Sequence, residues 1–182
     1  MPLALPASAQ QGAHAQASGA VDAPPGFRDA CRRYPWLCRG SAGRAMTDEQ
    51  LRALARQVNA RVNRSVRQVD DQVHHGVPEF WSLPDAGGGD CEDLVLLKKK
   101  MLLDAGVAAD RLSVAVVLDR AGENHTVLLV SLAAGDIVLD SLTGSVSPWS
   151  RTGYTFLARQ LAGDKSRWGA LASGRAGSVA RR

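Results

Sequence analysis

The segment "GGGDCEDLVLL", residues 87–97, decides how this chain folds. Three glycines lead into Cys91, acids stand on both sides of that cysteine, and the sequence then turns strongly apolar. An acidic start followed by residues that are apolar on most sides is typical of a central, buried helix. We therefore expect a helix that begins at Asp90 or Cys91 and ends before Gly106, since glycine suits a helix C-terminus.

Three interpretations of Cys91 are open at this point: a buried packing residue, a metal ligand or a nucleophile. A cysteine in the first turn of a helix faces unpaired backbone N–H groups and the positive end of the dipole, and both stabilise a thiolate. The flanking Asp90, Glu92 and Asp93 act in the opposite direction, because nearby negative charge raises a thiol pKa. A nucleophilic role therefore requires a cation or an imidazolium that offsets these acids.

A second helix is predicted before this one. Thr47, with Gln50 three residues later, forms a capping box, and apolar residues at helical spacing continue to about Val66. An irregular stretch rich in glycine and proline then leads to the central helix.

Three strand-like runs follow the central helix, at residues 112–118, 125–132 and 136–142. The short connections between them indicate hairpins, so the runs form an antiparallel meander. A short helix is expected for "FLARQL", residues 156–161. This order of elements predicts an α+β fold in which a central helix packs on an antiparallel sheet.

The meander also predicts a meeting of polar residues. His125 begins the second strand and Asp140 lies near the end of the third. In an antiparallel pair these two positions fall at the same end of the sheet. If the central helix packs there, Cys91, His125 and Asp140 are the nucleophile, the base and the group that orients the base. The alternative is a surface histidine and a strand-end aspartate in a turn.

Composition is that of an ordinary globular protein, with 182 residues, 45% hydrophobic and 22% charged, and a formal net charge of +4. We expect one domain at residues 26–172, a flexible lead or signal remnant at 1–25, and a disordered tail at 173–182. No apolar stretch approaches the roughly 18 residues of a membrane span. The basic run at 98–100 is expected to form the solvated face of the central helix, and without a basic stripe interleaved with aromatics no nucleic-acid partner is expected.

Two further cysteines bear on the compartment. Cys31 and Cys38 lie in "CRRYPWLC", and a local disulfide is the simpler interpretation, which implies an oxidising environment. Two reduced cysteines packed around Trp36 are the alternative. The sequence Ala7–Ala9 suits a cleavage site for export, whereas a plain disordered extension is the other interpretation.

Several of these segments together resemble a known family, the bacterial transglutaminase-like cysteine proteinases, which include the LapG-type periplasmic proteases that release adhesins. The resemblance rests on "GVPEFWSLPDAGGGDCEDL", "LLDAGVAADRLSVAVVL", "NHTVLLV" and "IVLDSLTG", and it covers roughly residues 27–150. It implies a papain-like, transglutaminase-type core, a triad of Cys91, His125 and Asp140, and export to the periplasm.

The same resemblance implies regulation by calcium, with Asp90 and Glu92 at the positions of ligands. Carboxylates suit this hard cation, although acids at a helix start are also expected for electrostatic reasons alone. The backbone N–H of Cys91 is a candidate oxyanion donor. The indole N–H of Trp81 is a second candidate, and a core aromatic is the alternative.

The leading functional interpretation is an exported cysteine protease that hydrolyses peptide bonds through a thioester on Cys91, with no organic cofactor required and calcium as an optional ligand. Its partner is a protein or peptide substrate, with a surface adhesin implied by one branch of the family. An acyl transferase or amidase acting on cell-wall peptides uses the same triad. A third interpretation is a non-catalytic binding module on the same fold.

Overall fold

Residues 14–171 are described by a computed structural model of the chain. Within that range the chain forms four α-helices, seven strands and three short 3-10 turns. The helices are α1 (Phe27–Arg33), α2 (Asp48–Ser65), α3 (Asp71–His74) and α4 (Cys91–Asp104). The strands are β1 (Ala17–Val21), β2 (Leu112–Leu118), β3 (Asn124–Leu132), β4 (Gly135–Leu139), β5 (Ser147–Pro148), β6 (Thr155–Gln160) and β7 (Trp168–Leu171).

The capping box before α2 is present as predicted. The Thr47 hydroxyl accepts from the backbone N–H of Gln50, and the Gln50 side chain accepts from the backbone N–H of Thr47. These two bonds satisfy N–H groups that a helix start otherwise leaves unpaired. The buried face of α2 then packs against α4.

The central helix is α4, and its predicted bounds are confirmed. The Asp90 side chain caps it by accepting from the backbone N–H of Asp93. The helix ends before Gly106, whose φ of +88° is a conformation that glycine adopts without strain. The prediction of a solvated lysine face is wrong, because Lys98 and Lys99 are fully buried.

The strands form one antiparallel sheet in the order β1-β7-β6-β2-β3-β4-β5. The predicted meander is its β2-β3-β4 part. One face, with the even-numbered residues of β2 and β3, packs on α2 and α4 in the main core. A smaller cluster that includes Val127 and Phe156 covers the opposite face. The α+β fold class is therefore confirmed.

The sheet extends further than the sequence indicated. The segment "FLARQL" was predicted as a helix, and this is wrong, because residues 155–160 form β6 between β2 and β7. Residues 17–21, which the sequence placed in a flexible lead, form the edge strand β1 paired with β7. Pairing across the sheet outweighs the helix propensity of Leu, Ala, Arg and Gln.

The Cys31–Cys38 disulfide is present and joins α1 to the turn after it. The cleavage site for export and the C-terminal tail from residue 173 lie outside the described residues. Across the part of the chain that is described, no helix combines the length and the apolar character that crossing a bilayer requires.

Candidate active site

Cys91 is the first residue of α4, and a tight glycine turn delivers it there. Gly88 has a φ of +115°, and a Cβ at this position would lie 2.2 Å from the backbone oxygen of Arg67. The N–H of Gly89 donates to the same oxygen at 3.1 Å. Only glycine fits so close to another backbone, so the turn fixes where the cysteine begins the helix.

His125 and Asp140 meet at one end of the sheet. The β3–β4 register pairs Leu128 with Leu139, so Asp140 follows directly after the last paired residue of β4. His125 Nε2 lies 2.7 Å from Asp140 Oδ1, and both side chains are buried. This bond leaves Nδ1 as the ring nitrogen that is available to a third group.

Two more donors hold the Asp140 carboxylate. The backbone N–H of Leu142 donates to Oδ1 at 2.9 Å, and the Tyr154 hydroxyl donates to Oδ2 at 2.6 Å. Burial alone would raise the pKa of Asp140, but the bonds from His125 and Tyr154 hold it below its usual value. The group therefore stays anionic and in a fixed orientation.

Cys91 faces the same site from the helix. Cys91, His125 and Trp81 line one cavity of about 320 Å³. Thr126, the residue after His125, lines the same cavity as Cys91. The structure thus brings the start of α4 against the start of β3, with all three predicted triad residues at one place.

The surroundings of Cys91 favour the protonated thiol. Burial raises its pKa above the usual value, and the negative charge of Glu92 adds to this effect. The thiol also donates to Glu92 Oε2 at 3.0 Å. The acids flanking Cys91 therefore act as the sequence predicted, and they require a compensating positive charge for thiolate to form.

An acidic cluster, defined here as Asp71, Asp90 and Glu92, lies directly beside Cys91. Ligand oxygens of the three side chains fall within 4.8 Å of one another. Burial first, and mutual repulsion second, raise the pKa values of Asp90 and Glu92. Such a group of convergent carboxylates matches what calcium prefers, and one Asp71 oxygen is buried without a partner among the described residues. The donor set therefore fits the ion.

Trp81 lies between core and cavity. It is almost fully buried, its ring contacts Phe27 edge-on at 5.4 Å, and it also lines the cavity. Its indole N–H donates to Glu79 Oε2 at 3.3 Å. The ring therefore acts as a core aromatic, and its role as an oxyanion donor stays a prediction.

Sequence reasoning missed two members of this site. Tyr154 comes just before β6, in a segment that the sequence did not place in the sheet. Asp71 is the first residue of the four-residue helix α3, in the stretch interpreted as an irregular loop. For Asp71 a sequence signal was available, because Asp70 is a residue type that favours the N-cap of a helix. In the structure its side chain caps the short helix by accepting from the N–H of Gln72.

A helix that starts at a cysteine and packs on an antiparallel sheet carrying a His–Asp pair defines the class: this is a cysteine peptidase of the transglutaminase-like type. The chain belongs to the bacterial transglutaminase-like cysteine proteinases (BTLCP), whose family model matches residues 17–176. The comparison with curated proteins found no match.

Solved structures of LapG from Legionella pneumophila are similar to this chain. The calcium-bound form has 23% sequence identity and a TM-score of 0.57, and the match covers 71% of this chain and 74% of that one. The EGTA-treated form has 21% identity and a TM-score of 0.57, with coverage of 70% and 74%. At such identities the likeness shows the fold.

Proposed function

We propose that the chain hydrolyses peptide bonds in exported proteins through a Cys91–His125–Asp140 triad. The observation that carries the proposal is the buried bond between His125 Nε2 and Asp140 Oδ1 beside a cavity shared with Cys91. Membership of a proteinase family supports the reaction type.

Each triad residue has a step that its position supports. Asp140 accepts a hydrogen bond from the Nε2–H group of His125 and so selects the tautomer whose Nδ1 is free to take the proton of Cys91. The sulfur attacks the peptide carbonyl, and a thioester forms as His125 returns that proton to the leaving amine. A water molecule activated by His125 then hydrolyses the thioester.

The oxyanion of the tetrahedral intermediate needs N–H donors. Cys91 is the first residue of α4, and the N–H groups of a first helical turn have no acceptor within the helix, while the helix dipole there also favours negative charge. Trp81 is the second candidate, provided that its indole N–H turns from Glu79 toward the substrate. Replacement of Glu79 with Gln weakens the acceptor that competes with the substrate for the indole N–H of Trp81. It therefore tests whether Trp81 is an oxyanion donor or only a core aromatic.

The primary experiment compares wild type with Cys91→Ala on a periplasmic protein extract. We expect cleavage products that only the wild type generates, and an unchanged melting temperature for the variant. Lys100→Met is the matched control, since Lys100 lies on the same helix and away from the cavity. A folded Cys91→Ala protein that still cleaves the same substrates would falsify the proposal.

Acyl transfer to an amine uses the same thioester, so the acceptor must be tested. Mass spectrometry of the products with an added primary amine distinguishes the two outcomes. The proposal predicts free carboxylic acid at the cleavage site, whereas an amide with the added amine would establish a transferase.

For calcium, we propose a site in the acidic cluster of Asp71, Asp90 and Glu92. A bound ion supplies positive charge beside Cys91, where three carboxylates otherwise oppose a thiolate. Calorimetric titration should show calcium binding to the wild type, weakened at least tenfold in Asp90→Asn. Asp104→Asn, an exposed acid on the same helix, is the control. If calcium produces neither heat nor a change in melting temperature in the wild type, the proposed site is contradicted.

We also propose a periplasmic or secreted location and an exported protein as substrate, with a surface adhesin as the first candidate. The Cys31–Cys38 disulfide supports an oxidising compartment. Cell fractionation tests the location, and the extract experiment above identifies the substrate. Recovery in the reducing cytoplasm with both thiols free contradicts the location.

A further inference from the structure

Strand β6 carries an irregularity beside the candidate active site. Val116 of β2 pairs with Ala158 of β6. The next residue of β2, Val117, pairs with Phe156 and so skips Leu157. Leu157 is therefore an extra residue on β6, as in a β-bulge. Bulges change the direction of a side chain, and they are frequent next to active sites.

The bulge places two consecutive side chains on the same face of the sheet. In a regular strand, successive residues point to opposite faces. Phe156 packs in the smaller cluster on the far face, whereas Ala158 packs against the main core on the helix face. Leu157 and Ala158 nevertheless both line the cavity of about 320 Å³ that also contains Cys91 and His125. A regular β6 would present only one of these two neighbours to the cavity.

Leu157 is an apolar side chain that the fold itself leaves open to water. It is 40% exposed, and it belongs to neither of the two hydrophobic clusters of the described residues. Burial of an exposed leucine is favourable, so a group that covers Leu157 gains binding energy. An exposed apolar residue that lines a concave site is typical of a ligand-binding surface.

Neighbouring residues extend this surface into an apolar pocket. Val116 lies opposite Ala158 in the register, and both are only partly buried. Pro24 and Pro25, in the connection from β1 to α1, line the same cavity, and the fixed φ of proline makes this wall stiff. Ala158 adjoins Val116 and Leu157 but contributes only a methyl group. The pocket therefore has room for an aliphatic side chain of moderate size.

The charged residues of the cavity disfavour an acidic substrate residue. Asp22, Glu79 and Glu92 line it, and no lysine or arginine of the described residues does. Carboxylates at this place repel an aspartate or glutamate of the substrate. A cationic side chain is not strongly favoured either, because the Asp22 side chain is 99% exposed and already lies 3.7 Å from Arg28. Exposed ion pairs contribute little, so the apolar residues dominate the selection.

We propose that Leu157, Ala158 and Val116 form a subsite that binds an aliphatic side chain of the substrate (Val, Ile, Leu or Met) next to the scissile bond. The inference rests on the proposed hydrolysis by Cys91, because the subsite and that sulfur share one cavity. Leu157 and Ala158 are specificity-determining residues, and the bulge in β6 is the feature that brings both of them into the cavity.

Digestion of a random peptide mixture, followed by mass spectrometry, tests the subsite. We expect wild-type cleavage sites to carry an aliphatic residue at one fixed position next to the cleaved bond. Leu157→Ser should lower kcat/KM about tenfold or more for a peptide with leucine at that position, and less than about threefold for the matching alanine peptide. Val77→Ser is the control, since Val77 is also 40% exposed and does not line the cavity.

Ala158→Leu tests the same subsite by filling it. We expect the preferred residue to change from a larger aliphatic to alanine or glycine. Ala170→Leu is the matched control, because Ala170 pairs with Ala158 from β7 and lies outside the cavity. Wild-type cleavage sites without aliphatic enrichment, or with lysine and arginine enriched instead, overturn the proposal. An unchanged cleavage profile in both folded variants, Leu157→Ser and Ala158→Leu, overturns it as well.

Peptide binding to Cys91→Ala separates the subsite from the reaction. The probes are an alanine hexapeptide amide and its variants with leucine at one position at a time, and the readout is NMR of the Leu157 methyl groups. One leucine peptide should shift these methyl signals and bind about tenfold or more tightly than the alanine peptide. If no leucine peptide does so, the subsite is wrong. If the peptides bind as expected but wild type cleaves none of them, the subsite stands and the proposed hydrolysis fails.

Discussion

Replacement of Tyr154 with phenylalanine tests how the Asp140 carboxylate is oriented. The Tyr154 hydroxyl donates to Oδ2 at 2.6 Å, whereas His125 and the Leu142 N–H both bind Oδ1. Tyr154 therefore holds the one oxygen that the other two donors leave free. Phenylalanine keeps the ring and removes only this bond.

The expected loss follows from the strength of the bond. A hydrogen bond to a charged group contributes about 1.5–3 kcal/mol, and the lower end applies because Tyr154 is only partly buried. About 1.4 kcal/mol corresponds to a factor of ten. We therefore expect kcat/KM to fall about tenfold, because the carboxylate spends less time in the orientation that aligns His125.

Kinetics on a peptide that spans an identified cleavage site measures this effect. Tyr34→Phe is a matched control, because its hydroxyl accepts from the Leu83 N–H at 3.1 Å, in a contact that leaves the His–Asp pair untouched. It should lose about 1 kcal/mol of stability in urea unfolding and keep its kcat/KM. Equal activity of Tyr154→Phe and wild type would refute the reasoning.

Two further predictions concern stability. Burial alone would raise the pKa of Asp136, but the charge of Arg159 and the hydrogen bonds that the Asp136 carboxylate accepts hold this pKa below the usual value. The carboxylate therefore contributes stability above about pH 4, and this stability is lost as the pH falls through the lower folded-state pKa. Asp136→Asn should cost about 3 kcal/mol at pH 7 and progressively less as the pH falls below about 4, measured by urea unfolding; a cost that does not change with pH contradicts this account. Reduction of the Cys31–Cys38 disulfide should lower the free energy of unfolding by about 2 kcal/mol, as expected for a short loop, and an unchanged unfolding midpoint would show that the bond does not stabilise the fold.

The centre of the fold could be predicted because its signals are local. The glycine turn, the acidic start and the apolar run of α4 are all adjacent in sequence. The meander is likewise a run of consecutive hairpins, so the proximity of His125 and Asp140 follows from strand order alone. These features needed no knowledge of distant contacts.

The edges of the sheet could not be predicted, because long-range pairing determines them. Four of the six residues of β6, Leu, Ala, Arg and Gln, have good helix propensity, and the segment forms a strand between β2 and β7. β1 is made of small, exposed residues without an apolar pattern. Tyr154 lies directly before β6, so its contact with Asp140 could not be predicted either.

The burial of Lys98 and Lys99 was missed for a related reason. A lysine run normally marks a solvated face. Here α2 and the sheet cover α4 on different sides, and Gln160 of β6 supplies the acceptor for Lys99. That acceptor lies 61 residues away in sequence, so no local pattern could indicate it.

Labelling of the native, disulfide-intact protein with iodoacetamide at neutral pH tests most directly whether Cys91 and His125 act together. The account predicts modification of Cys91 alone, loss of proteolysis in proportion to the label, and labelling that is about tenfold or more slower in His125→Ala, because the imidazole no longer accepts the thiol proton. Equal labelling rates in both proteins, or full proteolysis by the completely labelled enzyme, would contradict it.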